Sequence, residues 1–179
     1  MGSVFITAMG SAWSGNGINI NAVTSGKDGW LYVAGIDMTG SQNSLVVMGY
    51  KDGQLEWKKN FHEQGTSFDR GFGLFKAITY SNGSVYVAGD ISAKFTLSDF
   101  NTDQNDIPNK PLPKPTPTDP LLGNYNPHLM DPTYPLYVKL NGDTGNLELA
   151  NIIPSPNVYG TDSLSSIQVD NLGNVYVAG

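Results

Sequence analysis

The chain has 179 residues, 16 of them acidic and 10 basic, and a formal net charge of −6, which argues against a phosphate-tracking surface and against nucleic acid as a partner. It has no cysteine, so a disulfide framework, thiol catalysis and a zinc-thiolate site are excluded, while oxidising and reducing compartments both stay open. No apolar run is long enough for membrane insertion and Met1 opens no signal-peptide pattern, so a soluble piece large enough for one domain is expected.

In chain order, Gly2 to Gly10 reads as a strand, with Val4, Ile6 and Ala8 on one face and Phe5, Thr7 and Met9 on the other. After a loop rich in Gly, Ser and Asn, Ile18 to Val23 alternates apolar and polar residues as a first strand of a repeat. The turn Lys27-Asp28-Gly29 leads into Trp30 to Ile36, where Leu31 and Val33 face one way and Tyr32 and Ala34 the other. A strand with apolar groups on both faces must be covered on both. Ser44 to Tyr50 follows, then the turn Lys51-Asp52-Gly53 and a fourth strand, Gln54 to Phe61, carrying Leu55 and Trp57.

The cycle restarts with Leu74 to Tyr80, the turn Asn82-Gly83, and Val85 to Ile91. Ser92 to Pro135 interrupts it, with PNKPLPKPTPTDP at its centre, which reads as extended polyproline-like chain because proline fixes φ and removes amide donors. Leu136 to Leu140 and Leu147 to Ile153 complete the second set, joined by NGDTGN. Leu164 to Val169 and Val175 to Ala178 are a first and a second strand again.

KDGWLYVAG, NGSVYVAG and LGNVYVAG are three copies of one hairpin half. Repeating four-stranded antiparallel meanders, about 45 to 55 residues apart once the insertion is discounted, predict an all-β chain of β-propeller blades. The expected organisation is one propeller segment. Residues 1–10 form the last strand of a preceding blade, 18–61 a blade, 74–153 a blade with the insertion 92–135, and 164–179 the first half of another. A solenoid or sandwich of similar strands is the alternative.

The order DG or NG, VYVAG, a strand, and then DG-x-L-x-W resembles the bacterial β-propeller repeat family known as SBBP, over nearly all of the chain outside Ser92 to Pro135. The resemblance implies a seven-bladed propeller fold of large bacterial proteins, often secreted or at the surface, without fixed catalytic residues. KDGQLEW and NGDTGNLEL are also similar to the tryptophan-docking repeat of quinoprotein dehydrogenases, which implies that Trp57 locks neighbouring blades. Leu149 stands where the second unit would carry that Trp, and the vicinal cysteine pair of those enzymes is absent.

Asp99, Asn101, Asp103 and Asn105 place oxygen groups at alternate positions, a candidate Ca2+ loop, although Gln104 and Lys110 occupy the places of the usual Gly and bidentate Glu. A solvated polar loop is the plainer reading. Tyr125, His128 and Tyr134 lie among the prolines of the insertion and are candidate binding residues, or else they pin the loop to its own blade. His62 and His128 belong to no nucleophile or metal motif, and Asp69-Arg70 reads as a surface ion pair.

Three functions follow. The first is a non-catalytic binding or structural module, extracellular or at a cell surface, with a protein or carbohydrate partner and no cofactor other than Ca2+. The second is part of a propeller enzyme, a quinoprotein or hydrolase, whose site needs further blades. The third is a subunit that pairs with further blades or copies of itself through open strand edges.

Overall fold

The computed structural model describes residues 17–38, 44–62, 74–92, 133–153 and 163–179. Their strands are β1 (Ile18–Ser25), β2 (Trp30–Asp37), β3 (Ser44–Lys51), β4 (Gln54–His62), β5 (Leu74–Ser81), β6 (Ser84–Ser92), β7 (Thr133–Asn141), β8 (Leu147–Ile152), β9 (Ser166–Val169) and β10 (Val175–Ala178). They form an antiparallel four-stranded meander β1-β2-β3-β4, a second one β5-β6-β7-β8, and the hairpin β9-β10. The protein is all-β. The predicted strand Gly2 to Gly10 lies outside the described residues, as does most of the insertion.

Three hairpin turns have the backbone their sequence demands. Asp28 and Gly29, Asp52 and Gly53, and Asn82 and Gly83 all adopt positive φ at both central positions, the mark of a type I′ turn. Its twist matches that of the strands it joins. The turn before β10 is different: Gly173 alone has positive φ, and the Asp170 carboxylate accepts hydrogen bonds from the Leu172 and Asn174 amides, the Asn174 side chain and the Tyr176 hydroxyl.

The expected start of the second unit's third strand at Leu136 is corrected: β7 begins at Thr133, and Tyr134 and Pro135 pair with Ile91 and Asp90. Proline is tolerated there because its carbonyl, which accepts from the Ile153 amide at 2.9 Å, faces the extreme end of β8. The missing N–H therefore falls where the ladder stops.

A bulge recurs in the first strand of each unit. The register shifts between Ile20 and Ala22 opposite Gly35 and Ala34, and between Phe75 and Ala77 opposite Gly89 and Ala88. A Cβ on Gly35, Gly89 or Gly179 would collide with the carbonyl of Asn19, Leu74 or Ser163 respectively. In the first two units the Ala-Gly pair that closes the repeat is thus the partner of a bulge, and in all three copies one backbone crosses close over another at the glycine. The bulge also moves β1 off simple alternation: Ile20 packs with Val33, whereas Ala22 lies opposite Ala34 on the other face.

The extra residue aims its side chain at the following sheet. Asn21 Nδ2 donates to the Phe75 carbonyl at 3.1 Å, and Lys76 Nζ donates to Ser163 Oγ at 2.5 Å. Lys76 also pairs with buried Asp90 at 2.9 Å, whose other oxygen accepts the Leu74 amide. Apolar groups do the rest of the joining. Tyr32, Ala34, Leu45, Val47 and Phe61 of the first sheet share one core with Phe75, Val85, Val87, Leu136, Val138 and Leu140 of the second. Burying each of these Val, Leu and Phe side chains stabilises by about 1.5–3 kcal/mol.

The opposite face of the second sheet, through Tyr86 and Ala88, packs on Leu164 and Ile167 of the hairpin segment. The opposite face of the first sheet holds a further cluster of Val33, Val46, Met48 and Tyr50. With β1 and β2 packed on β5, and β5 and β6 on β9, the sheets follow one another face to face. This succession is compatible with a partial propeller, and the described residues close no ring.

On β7 and β8, Lys139 Nζ lies 2.8 Å from Glu148 Oε2. The hydrogen bond to Glu148 raises the lysine pKa, against burial. Burial would lift the Glu148 carboxyl, but hydrogen bonds from Lys139, Asn141 and Ser84, with the lysine charge, hold it below its ordinary value. A carboxyl depressed on folding contributes stability above its unfolded pKa that is lost as pH falls through the folded one; a raised lysine contributes stability that is lost only as pH rises through its own folded value. The pair therefore stabilises across neutral pH. Between about pH 7 and pH 3, the melting temperature of Glu148→Gln is expected to fall less steeply than that of the unaltered protein, and parallel curves would show the pair to be inert.

Candidate functional site

The residues singled out in the insertion are not brought together by the described structure. Asp99, Asn101, Asp103, Asn105, Tyr125 and His128 lie outside the described residues, and Tyr134 sits in β7 opposite Ile91. Among the described residues no cluster of three or more His, Cys, Asp or Glu side chains could hold a metal ion.

What the fold does build is an open cleft of about 770 Å³ at the end of the first two sheets where their hairpin turns gather. The β1–β2 turn supplies Lys27 and Asp28, the start of β2 supplies Trp30, and the end of β3 supplies Lys51. From the second sheet come Tyr80 of β5, Asn82 of the β5–β6 turn and Asp143 of the β7–β8 turn. Even strand spacing and tight turns put all four hairpin tips at one end, so residues far apart in sequence meet there.

Behind the cleft runs an aromatic column. Trp30 stacks on Tyr32 with centroids 5.5 Å apart and planes at 8°, and Tyr32 stacks on Tyr80 at 5.4 Å and 16°. Tyr32 is buried, and burial, helped by Tyr80 and Asp143, lifts its phenol well above the usual range, so the ring stays neutral. Gly26 leaves space for this column, since a Cβ there would lie 2.5 Å from the Tyr32 ring and 2.9 Å from Trp30 Cβ. The Lys51 ammonium stands 5.8 Å from the centre of the half-buried Trp30 ring, a cation–π distance.

Trp57 holds the two walls of the cleft in register. Its Nε1 donates to the Gly142 carbonyl at 2.8 Å, and the Gly142 amide donates to the Gly83 carbonyl, also at 2.8 Å. Its ring lies over Gly49 of β3 and against Gly145 of the β7–β8 turn, where a Cβ would meet it at 2.6 Å. In the second sheet the position of Trp57 is taken by Leu149 and that of Gly49 by Lys139, so where the indole is absent the glycine beneath it is absent too.

The cleft walls combine two aromatic rings with two ammonium groups, two carboxylates and an amide, and their formal charges cancel. Sequence reading placed Trp30, Tyr80 and Asn82 in strands and turns without giving them a site. The available signal was an aromatic residue flanking a DG or NG turn in two successive units, Trp30 after Gly29 and Tyr80 before Asn82.

No family model, curated protein or solved structure matches the chain. The repeat resemblance therefore rests on its own motifs.

Proposed function

We propose that this chain is a non-catalytic binding or structural module, consisting of consecutive blades of a larger β-propeller of the SBBP kind, in a bacterial secreted or surface protein or an extracellular assembly. The observation that carries the reading is the cleft at the hairpin end. Its walls are type I′ turns and stacked rings fixed by internal contacts, so a partner would bind there at little ordering cost. The face-to-face succession of sheets supports the blade reading, because each four-stranded sheet is apolar on both sides.

Chromogenic ester, glycoside and phosphoester substrates, and an alcohol supplied with pyrroloquinoline quinone, are expected to turn over no faster with the protein than in buffer. Turnover that Asp143→Ala or Lys51→Ala removes would replace this reading with that of a propeller enzyme, a quinoprotein or hydrolase. Light scattering over a range of concentrations tests the pairing of strand edges, a defined oligomer favouring assembly with further blades or with copies of the chain.

A further inference from the structure

We infer that the cleft between the first two sheets is a saccharide-binding site, with Trp30 as the stacking surface, Tyr80 on the facing wall, and Asp28, Asn82 and Asp143 as the groups that read hydroxyls. The inference rests on the module reading and names the ligand class of its cleft.

The cavity size of about 770 Å³ lies within the range of small-molecule sites, about 300–1,000 Å³. Its charge selects the class of ligand. Lys27 and Lys51 are balanced by Asp28 and Asp143, so a phosphate or an ammonium ligand would meet as much repulsion as attraction. A neutral ligand dense in hydroxyl groups suffers no such penalty, and every polar group on the rim can pair with it.

The apolar C–H face of a pyranose suits a half-buried aromatic ring, because both surfaces leave water on contact. Trp30 is backed by Tyr32, which holds the indole at a fixed tilt. Lys51 is exposed, long and unbranched; a sugar that settles on Trp30 displaces its ammonium from the ring, and the displaced group becomes a hydroxyl donor.

Asp28 and Asn82 hold the same first central position of their type I′ turns, with φ of 52° and 49°. Their side chains therefore stand on backbone that is rigid before the ligand arrives. Asp143 is anchored likewise, its amide donating to Asn141 Oδ1 at 3.1 Å while its carboxylate remains exposed at the cleft. A site that pairs hydroxyls in this way discriminates strongly against analogues that lack them.

The test is calorimetric and tryptophan-fluorescence titration of the full chain with cellotriose, maltotriose, mannotriose and chitotriose. Saturable binding of at least one is expected, weakened about tenfold by Asp143→Ala at unchanged melting temperature and lost in Trp30→Ala. Asp143 and Lys51 are exposed, so Asp143→Ala and Lys51→Ala keep the test decisive if Trp30→Ala does not fold. No saturable response to any of the sugars overturns the inference. So does binding that Asp143→Ala and Lys51→Ala both leave unchanged, or a response to tripeptide probes in place of sugars. The turnover assay judges the non-catalytic reading separately, so the two fail independently.

Discussion

Gly89→Ala is expected to destabilise the protein by about 3 kcal/mol or more, the upper range for overpacking a close-packed site. The added Cβ would fall inside the Leu74 carbonyl and lie 2.9 Å from Phe75 Cα. Both obstacles are backbone, so neither can rotate away. Relief requires moving β5 off β6 at the bulge, which also disturbs Phe75, a fully buried side chain set edge-on to Phe61 across the two sheets at 5.6 Å. Gly53→Ala is the control. No heavy atom lies within 4 Å of a Cβ there, but φ is 85°, so its cost is the left-handed strain alone, about 1 kcal/mol. Gly89 has no positive φ, so any loss there comes from the crossing. Urea unfolding followed by circular dichroism compares the two, and a loss no larger than that of Gly53→Ala would mean that the crossing relaxes and does not fix the repeat's glycine.

Trp57→Ala is expected to cost about 3 kcal/mol and to loosen the second sheet's turn from the first sheet. The indole fills the space between Gly49 and Gly145, and its N–H satisfies the Gly142 carbonyl. Trp57→Phe separates the two contributions, retaining most of the packing and losing the hydrogen bond, a loss of about 1 kcal/mol. Amide exchange at Gly142 and Gly145 is the local readout. Faster exchange confined to the β7–β8 turn would show that Trp57 fastens that turn, and unchanged exchange in Trp57→Ala would sink its role as a lock between sheets. The same variant should weaken any ligand of the cleft, because Asp143 and Asn82 are held in relation to Trp30 through this contact.

Much of the architecture was legible because its causes are local. Period-two alternation marked the strands, and Asp28-Gly29, Asp52-Gly53 and Asn82-Gly83 marked the turns, since only residues that tolerate positive φ close a two-residue hairpin. Apolar groups on both faces of VYVA marked sheets that need cover on both sides. The bulge was not legible, because an inserted residue leaves no distinctive residue type; Ile18, Ile20 and Ala22 look like one face, although the register shift splits them between two. Pro135 hid the true start of β7, proline being read as a loop unless the position of the ladder's end is known.

By itself, then, the sequence determined the strands, three of the hairpin turns and the repeat, because each follows from backbone preference and side-chain period within a few residues. Only the tertiary structure decided which carbonyl each Ala-Gly pair passes over, which residues join one sheet to the next, and where the cleft lies. These depend on groups that are distant in the chain and brought together in space: Leu74 under Gly89, Gly142 beside Trp57, Asp143 and Trp30 on the walls of one cleft. No local pattern records such distances, which are set by how the apolar faces of successive sheets close on one another.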